Sequence, residues 1–235
     1  MQGGRDLMLT SLVSGLPAIS PDEAVFPAER TLCITGHREK SIISYNDLSI
    51  YRELTVSAVR QMLCRYIDMA AEHGYEWFIS GLATGTDLWA AEHIIDKKRL
   101  NSRIKLVGAM PYLRHADHFS ASQRELLERV ENNCDCLISV CPDPQAVYNK
   151  GTGRNLYRDR NYFMVDRSSA VIAFLDDKQS WSGTRQTVNY GYRTGRLIKS
   201  FSLDDVYRII DESGTDIREI SRNIAFLENV FDLPY

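Results

Sequence analysis

Trp77-Phe78-Ile79-Ser80-Gly81-Leu82-Ala83-Thr84-Gly85-Thr86-Asp87 joins a short apolar run to the start of an amphipathic segment. The apolar run reads as a buried strand. Beyond the loop, Leu88, Ala91, Ile94 and Ile95 recur at helical spacing. Gly81 and Gly85, with small neighbours, let the backbone turn sharply and approach a ligand closely. Free N–H groups and the positive dipole end of the helix suit an anion, most often a phosphate. The alternative is a plain strand–helix turn with Thr86 or Asp87 as the N-cap. A Walker loop is excluded because no Gly-Lys-Ser/Thr follows. The dinucleotide fingerprint is excluded because no third glycine stands at the right place.

Five more strand-like runs flank this unit: Thr31–Thr35, Ile104–Ala109, Cys136–Val140, Ala170–Leu175 and Leu197–Phe201. Helical patterns separate them. Tyr51 to Ala70 carries a long apolar stripe closed by Gly74. Ser120 with Gln123 forms a capping box that opens a helix to about Asn132. Tyr157–Arg167, Thr184–Thr194 and the stretch from Asp204 to about Glu228 also read as helices. Residues 41–49 and 112–119 read as loops. Strands that alternate with helices and are apolar throughout predict an α/β domain: a mostly parallel sheet of about six strands with helices on both faces. The expected division is an irregular N-terminal extension over residues 1–30, rich in Gly and Pro, and one domain over 31–235 with helices at its C-terminal end.

Composition narrows the function classes. A net charge of -3 argues against a general polyanion binder, so nucleic acid is an unfavoured partner. No apolar run approaches the roughly 18 residues of a membrane span, and no basic region followed by an apolar core opens the chain. The expectation is a cytoplasmic protein with no membrane partner. The cysteines are odd in number and scattered, which predicts free thiols. Cys134, Cys136 and Cys141 cluster without a Cys-x-x-Cys or a nearby histidine, so no metal site and no cofactor are expected.

In parallel sheets ligands sit beyond the carboxyl ends of the strands, which directs attention to the loops after the first, second and fifth strands. The fifth is followed by Trp181-Ser182-Gly183-Thr184, a second small-residue turn at a helix start. Two such turns at one sheet edge make a joint anion cradle. Arg185 sits in the first turn of that helix, where the dipole disfavours a cation, so it is a candidate anion partner. The first strand ends in Thr35-Gly36-His37-Arg38. Arg38 suits bidentate contact with phosphate or carboxylate. His37 titrates near neutrality and is either a base or a backbone hydrogen-bonder. In the helix after residue 157, Arg160, Asp166 and Arg167 read by count as a salt-bridged solvent face. Trp89 reads as core.

Taken together, Thr35-Gly36-His37-Arg38, the Ser80-Gly81…Gly85-Thr86-Asp87-Leu88-Trp89 loop, Arg160 to Arg167, and Ser182-Gly183-Thr184 with Thr187-Val188 resemble the YpsA-like proteins of the SLOG superfamily. That superfamily includes the DNA-processing protein A and the LOG phosphoribohydrolases. The resemblance covers about Thr31 to Phe201. It implies a Rossmann-like sheet whose glycine-rich loops bind a nucleotide or nucleotide-derived ligand, and it suggests a homo-oligomer. The ligand-binding residues it points to are Thr35, Gly36, His37, Arg38, Ser80, Gly81, Thr84, Gly85, Thr86, Asp87, Arg160, Asp166, Ser182, Gly183 and Thr184. The phosphoribohydrolases use an arginine in an Arg-x-x-x-Met helix and a glutamate three residues after a loop threonine. Arg160 and Met164 match the first. Thr184 matches the loop threonine, but the glutamate position falls on Thr187. A hydroxyl cannot replace a carboxylate at an oxocarbenium-like centre. The catalytic candidates are then Arg160 and Asp87. The expectation is a sensor or regulatory module for a phosphorylated nucleotide derivative. The alternatives are an N-glycosidase of the phosphoribohydrolase type and, more weakly, single-stranded DNA binding.

Overall fold

The computed structural model describes residues 9–43, 49–147, 152–176, 182–228 and 231. Two short N-terminal strands, β1 (Leu9–Thr10) and β2 (Pro17–Ala18), form an antiparallel hairpin. The main sheet contains β3 (Thr31–Gly36), β4 (Trp77–Ser80), β5 (Lys105–Met110), β6 (Cys136–Ser139), β7 (Ala170–Phe174) and β8 (Leu197–Phe201). Its order is β6-β5-β4-β3-β7-β8 and every pairing is parallel. The expected six strands and their covering helices are all present.

Side chains alternate across a strand, so each strand feeds two layers. Leu32, Ile34, Phe78, Leu106, Ile172 and Phe174 face one core, packed beneath α2 (Ser49–Glu72), α3 (Thr86–Leu100), α4 (Ala121–Glu131), α7 (Leu203–Glu212) and α8 (Ile217–Ala225). Cys33, Ile79, Val107, Ile138, Val171 and Ala173 face the other, beneath α5 (Thr152–Asp166) and α6 (Gly183–Arg193). Phe163, Met164 and Val165 of α5 all belong to this second core.

The chain builds β3 to β6 outward in one direction, then returns through α5 to place β7 on the free side of β3. Neighbouring loops diverge at that reversal and leave a crevice between β3 and β7. The tips of β4, β3 and β7 are therefore adjacent.

Two sequence expectations differ from the structure. The N-terminal arm, read as irregular, includes the β1–β2 hairpin and pairs along the open edge of β6, with Ile19 bridged to Ile138. Its strands are two residues long, too short to show an alternating side-chain period. The loop read over 41–49 begins instead within a short helix, α1 (Glu39–Ile43). Residues 1–8, 44–48 and Trp181 lie outside the described residues. Among the described residues no helix is long and apolar enough to cross a membrane.

Candidate functional site

At the tips of β3 and β7 lies a cleft of about 290 Å³. Thr35, Gly36, His37 and Arg38 bound it from β3. Ala83 and Asp87 come from the turn into α3, Tyr157, Arg160 and Asn161 from α5, and Ser182, Gly183 and Thr184 from the start of α6. Ser41 of α1 completes the wall. Larger grooves on the outer faces of α6 and α4 are lined by residues of helices and their ends, with no strand tip among them.

His37 fastens the tips together. Its carbonyl accepts the Thr86 hydroxyl at 2.9 Å and the Thr86 N–H at 3.3 Å. Its Nε2 accepts the N–H of Asp176, just past β7, at 2.7 Å. An Nε2 that accepts is unprotonated, so the ring is neutral with its proton on Nδ1. Burial lowers the His37 pKa, and Arg185 adds to this while Asp176 opposes it. His37 is thus held as a structural acceptor, the second of its two sequence readings.

The turn after β4 is occupied by the protein itself. Gly85, not Thr86 or Asp87, is the N-cap of α3, with φ 87°. The Asp87 carboxylate accepts the N–H of Ala83 at 3.4 Å, and the Ser80 hydroxyl accepts the N–H of Leu82 at 3.2 Å. The Thr86 N–H is already used by His37. Asp87 therefore supplies its own negative charge where the dipole of α3 favours one. Its other partner is Arg160, whose Nη1 lies 3.2 Å from Asp87 Oδ2, both side chains being 6% exposed. Burial pushes the Asp87 pKa up, against the pull of Arg160.

Arg160 is therefore not on a solvent face. It enters the sheet edge through space that Gly81 leaves: a Cβ there would stand 1.3 Å from Nη1. Its Nε is buried with no hydrogen-bond partner. Arg167 instead donates to the carbonyls of Ala24 and Pro21 in the N-terminal arm. Asp166 lies six residues beyond Arg160, about 9 Å further along the helix axis. It is exposed, accepts the Tyr190 hydroxyl at 2.8 Å and does not line the cleft. Ser80, Gly81, Thr84, Gly85 and Thr86 also stay outside the lining; they build the wall from behind.

The turn after β7 is different. Ser182 caps α6 by accepting the N–H of Arg185 at 3.0 Å. Gly183 and Thr184 face the cleft. Arg185 lines the groove on the outer side of α6 with Asn189 and Arg193. Thr187 is buried and returns its hydroxyl to the Gly183 carbonyl at 2.7 Å, so the position that carries glutamate in the phosphoribohydrolases is spent inside the helix. Arg38 is exposed and stands 5.5 Å from the centroid of the Tyr157 ring, a cation–π distance.

Sequence reading missed Ser41, Ala83, Tyr157 and Asn161. Tyr157 and Asn161 precede and follow Arg160 by three and one residues, and i to i+3 or i+4 spacing puts Tyr157 on the face of Arg160 and Asn161. That spacing was the available signal. No group of three or more metal-ligating side chains lies among the described residues.

A family model described as the YspA SLOG family, YpsA, matches residues 32–203. The chain belongs to this family. Every cleft residue falls inside the matched span, while all of the N-terminal arm, most of α7 and all of α8 fall outside it. The chain is also similar to bacterial proteins named UPF0398. It is 24% identical over 155 residues to one from Halalkalibacterium halodurans, covering 65% of this chain and 76% of the relative. It is 24% identical over 186 residues to one from Macrococcus caseolyticus, covering 78% and 96%. It is 23% identical over 188 residues to one from Bacillus velezensis, covering 78% and 97%.

Proposed function

We propose that this YpsA-family protein binds a small phosphorylated, nucleotide-derived ligand and acts as a sensor or regulatory module. The phosphate sits at the N-terminus of α6, between Arg160 and Arg38. The observation that carries the reading is Arg160: a buried guanidinium on the cleft wall whose Nε has no protein acceptor. A buried donor left unmade is costly, and an oxyanion in the cleft relieves it. The amide-rich start of α6 adds a favourable dipole end. Thr35, Ser41, Asn161 and Ser182 offer neutral hydrogen-bonding groups for sugar hydroxyls. The cleft, near the lower end of the usual size range for ligand pockets, suits a molecule of mononucleotide scale.

Binding is favoured over N-glycoside hydrolysis because, among the described residues, the carboxylate that lines the cleft, Asp87, is already engaged with Arg160 and Ala83. A homo-oligomer is part of the proposal and is tested by sedimentation. The binding test is a thermal-shift screen of mononucleotides, cyclic nucleotides and ADP-ribose-like molecules at millimolar concentration. A ligand present at 100 times its Kd stabilises by about 2.7 kcal/mol, a rise of roughly 5–10 °C for a chain of this size. Arg38→Ala, which removes an exposed side chain, reduces the rise. If no compound raises the melting temperature, the reading is wrong. Release of free base from any of them replaces the sensor with an enzyme.

A further inference from the structure

The cleft does not end at Ser182. The same residue also lines the larger groove of about 740 Å³ on the outer side of α6, so the two spaces adjoin there. One helix face runs through that groove. Ser182, Arg185, Gln186, Asn189 and Arg193 follow one another at steps of three, one, three and four residues. Arg185 and Arg193 flank Asn189, each one turn away, so both long side chains reach an anion seated over it.

The chemistry of that face is one-sided. Two guanidiniums and two amides line it, and among the described residues no carboxylate does. Arg193 is exposed and lies 5.8 Å from the centroid of the Tyr190 ring, a cation–π distance that pre-positions its head. Tyr190 is itself fixed. Its hydroxyl donates to Asp166 at 2.8 Å, and its ring stacks on Tyr162, another residue of the groove, with centroids 3.9 Å apart. Asp166 is spent on this bond and does not line the groove. A guanidinium fork held in place suits phosphate.

We propose that the ligand carries a second phosphate, separated from the first by its sugar, and that this second phosphate lies in the groove against Arg185 and Arg193. The inference rests on the nucleotide reading of the cleft, which places the first phosphate at the start of α6. From Gly183 to Asn189 is six residues, about 9 Å along the helix axis. The adjoining phosphates of a pyrophosphate share an oxygen and are too close together to occupy both places. Phosphates on opposite sides of a ribose are set apart, as in a nucleoside 3′,5′-bisphosphate or a 5′-phosphorylated dinucleotide. Ser182, on the wall of both spaces, stands where the sugar passes from one to the other.

The test is calorimetric titration of the full chain with AMP, ADP, adenosine 3′,5′-bisphosphate and 5′-phosphorylated diadenylate. The bisphosphate is expected to bind about tenfold tighter than AMP, the gain of one charge-assisted contact, and ADP to gain less. An equal gain for the diadenylate identifies a phosphodiester as the second group, and a gain for the bisphosphate alone identifies a free monoester. Arg193→Ala returns the bisphosphate to the affinity of AMP while AMP itself changes by less than about twofold. Arg193→Lys restores part of the gain. Arg193 is exposed, so an unchanged melting temperature accompanies both variants. If AMP binds and neither larger ligand gains, if ADP gains as much as the bisphosphate, or if the gain survives Arg193→Ala, the groove is not part of the site and the inference is overturned while the cleft reading stands. If none of the four binds, the cleft reading falls and takes this inference with it.

Discussion

Two small-residue helix starts lie at the same sheet edge, the Gly81–Gly85 turn into α3 and Ser182-Gly183-Thr184 at the start of α6, and they are used in opposite ways. In the turn from β4 to α3, glycines admit the protein's own groups. Gly81 makes room for the Arg160 guanidinium, Gly85 for the backbone of residues 37–39, and Asp87 provides the negative charge at the helix start. In the turn from β7 to α6, the nearest atom to a Cβ on Gly183 would be Asn161 Nδ2 at 3.9 Å, and the turn faces a cleft. A small-residue turn before a helix is therefore a place where something approaches closely. Whether that something is a ligand or the chain itself depends on partners far away in sequence.

Removing Asp87 breaks the comparison at its strongest point. Asp87→Ala leaves Arg160 buried without its counter-charge, and deleting one member of a buried ion pair costs about 3–5 kcal/mol. Urea unfolding measures this as a lowered midpoint at unchanged slope. Asp87→Asn keeps the shape, destabilises less, and frees Arg160, so it binds inorganic phosphate more tightly than the wild type does. A loss below about 1 kcal/mol for Asp87→Ala shows that the first turn is not held by this pair.

Gly85→Ala comes next. Its φ of 87° lies in the left-handed region, and a Cβ would stand 2.4 Å from the Glu39 nitrogen and 2.8 Å from the His37 carbonyl oxygen. Backbone strain and overpacking together destabilise by about 2–4 kcal/mol. The same unfolding measurement checks it; a neutral result shows that the turn has room to spare.

The third effect is spread over pH. His37, which links the two turns, is pushed down by burial, and His115, buried near Arg160 and Arg38, is pushed down to about 4. In the unfolded chain both take a proton near pH 6.5, while in the folded chain they do not. Their contribution is present above pH 6.5 and is lost as pH falls from 6.5 toward 4. His93 has the opposite sign: raised to about 9, it contributes fully below pH 6.5 and loses that contribution as pH rises toward 9. Thermal melts between pH 4.5 and 9 should decline on both sides, and His93→Gln should flatten the alkaline side alone.

The same turns show what a sequence discloses and what it withholds. The six strands were legible because each is an apolar run with turn residues at its ends, and the Ser120–Gln123 capping box was legible because it is local. Ser182 at the start of α6 was legible for the same reason. The occupant of the first turn was not. Asp87 and Arg160 are 73 residues apart, and His37 and Asp176 are 139 apart. Arg160 lies between Asp159 and the exposed Asp166, so by local count it joins a charged surface. Its burial is decided by the absent side chain of Gly81, on another strand's loop.

The second turn is tested by the smallest changes. Ser182→Ala removes an acceptor from the Arg185 N–H and costs about 1 kcal/mol, the usual value of an N-cap. Gly183→Ala should cost almost nothing. Its backbone is not left-handed, its nearest new contact is ordinary, and alanine favours the helix, so stability stays within about 0.5 kcal/mol of the wild type. Yet the added methyl stands at the cleft wall where the proposed phosphate meets α6. A stable Gly183→Ala protein with weakened ligand stabilisation separates binding from folding, which neither Gly81 nor Gly85 can do, because both make room for the protein's own atoms. If Gly183→Ala instead destabilises like Gly85→Ala, the second turn is as tightly filled as the first and the contrast between them disappears.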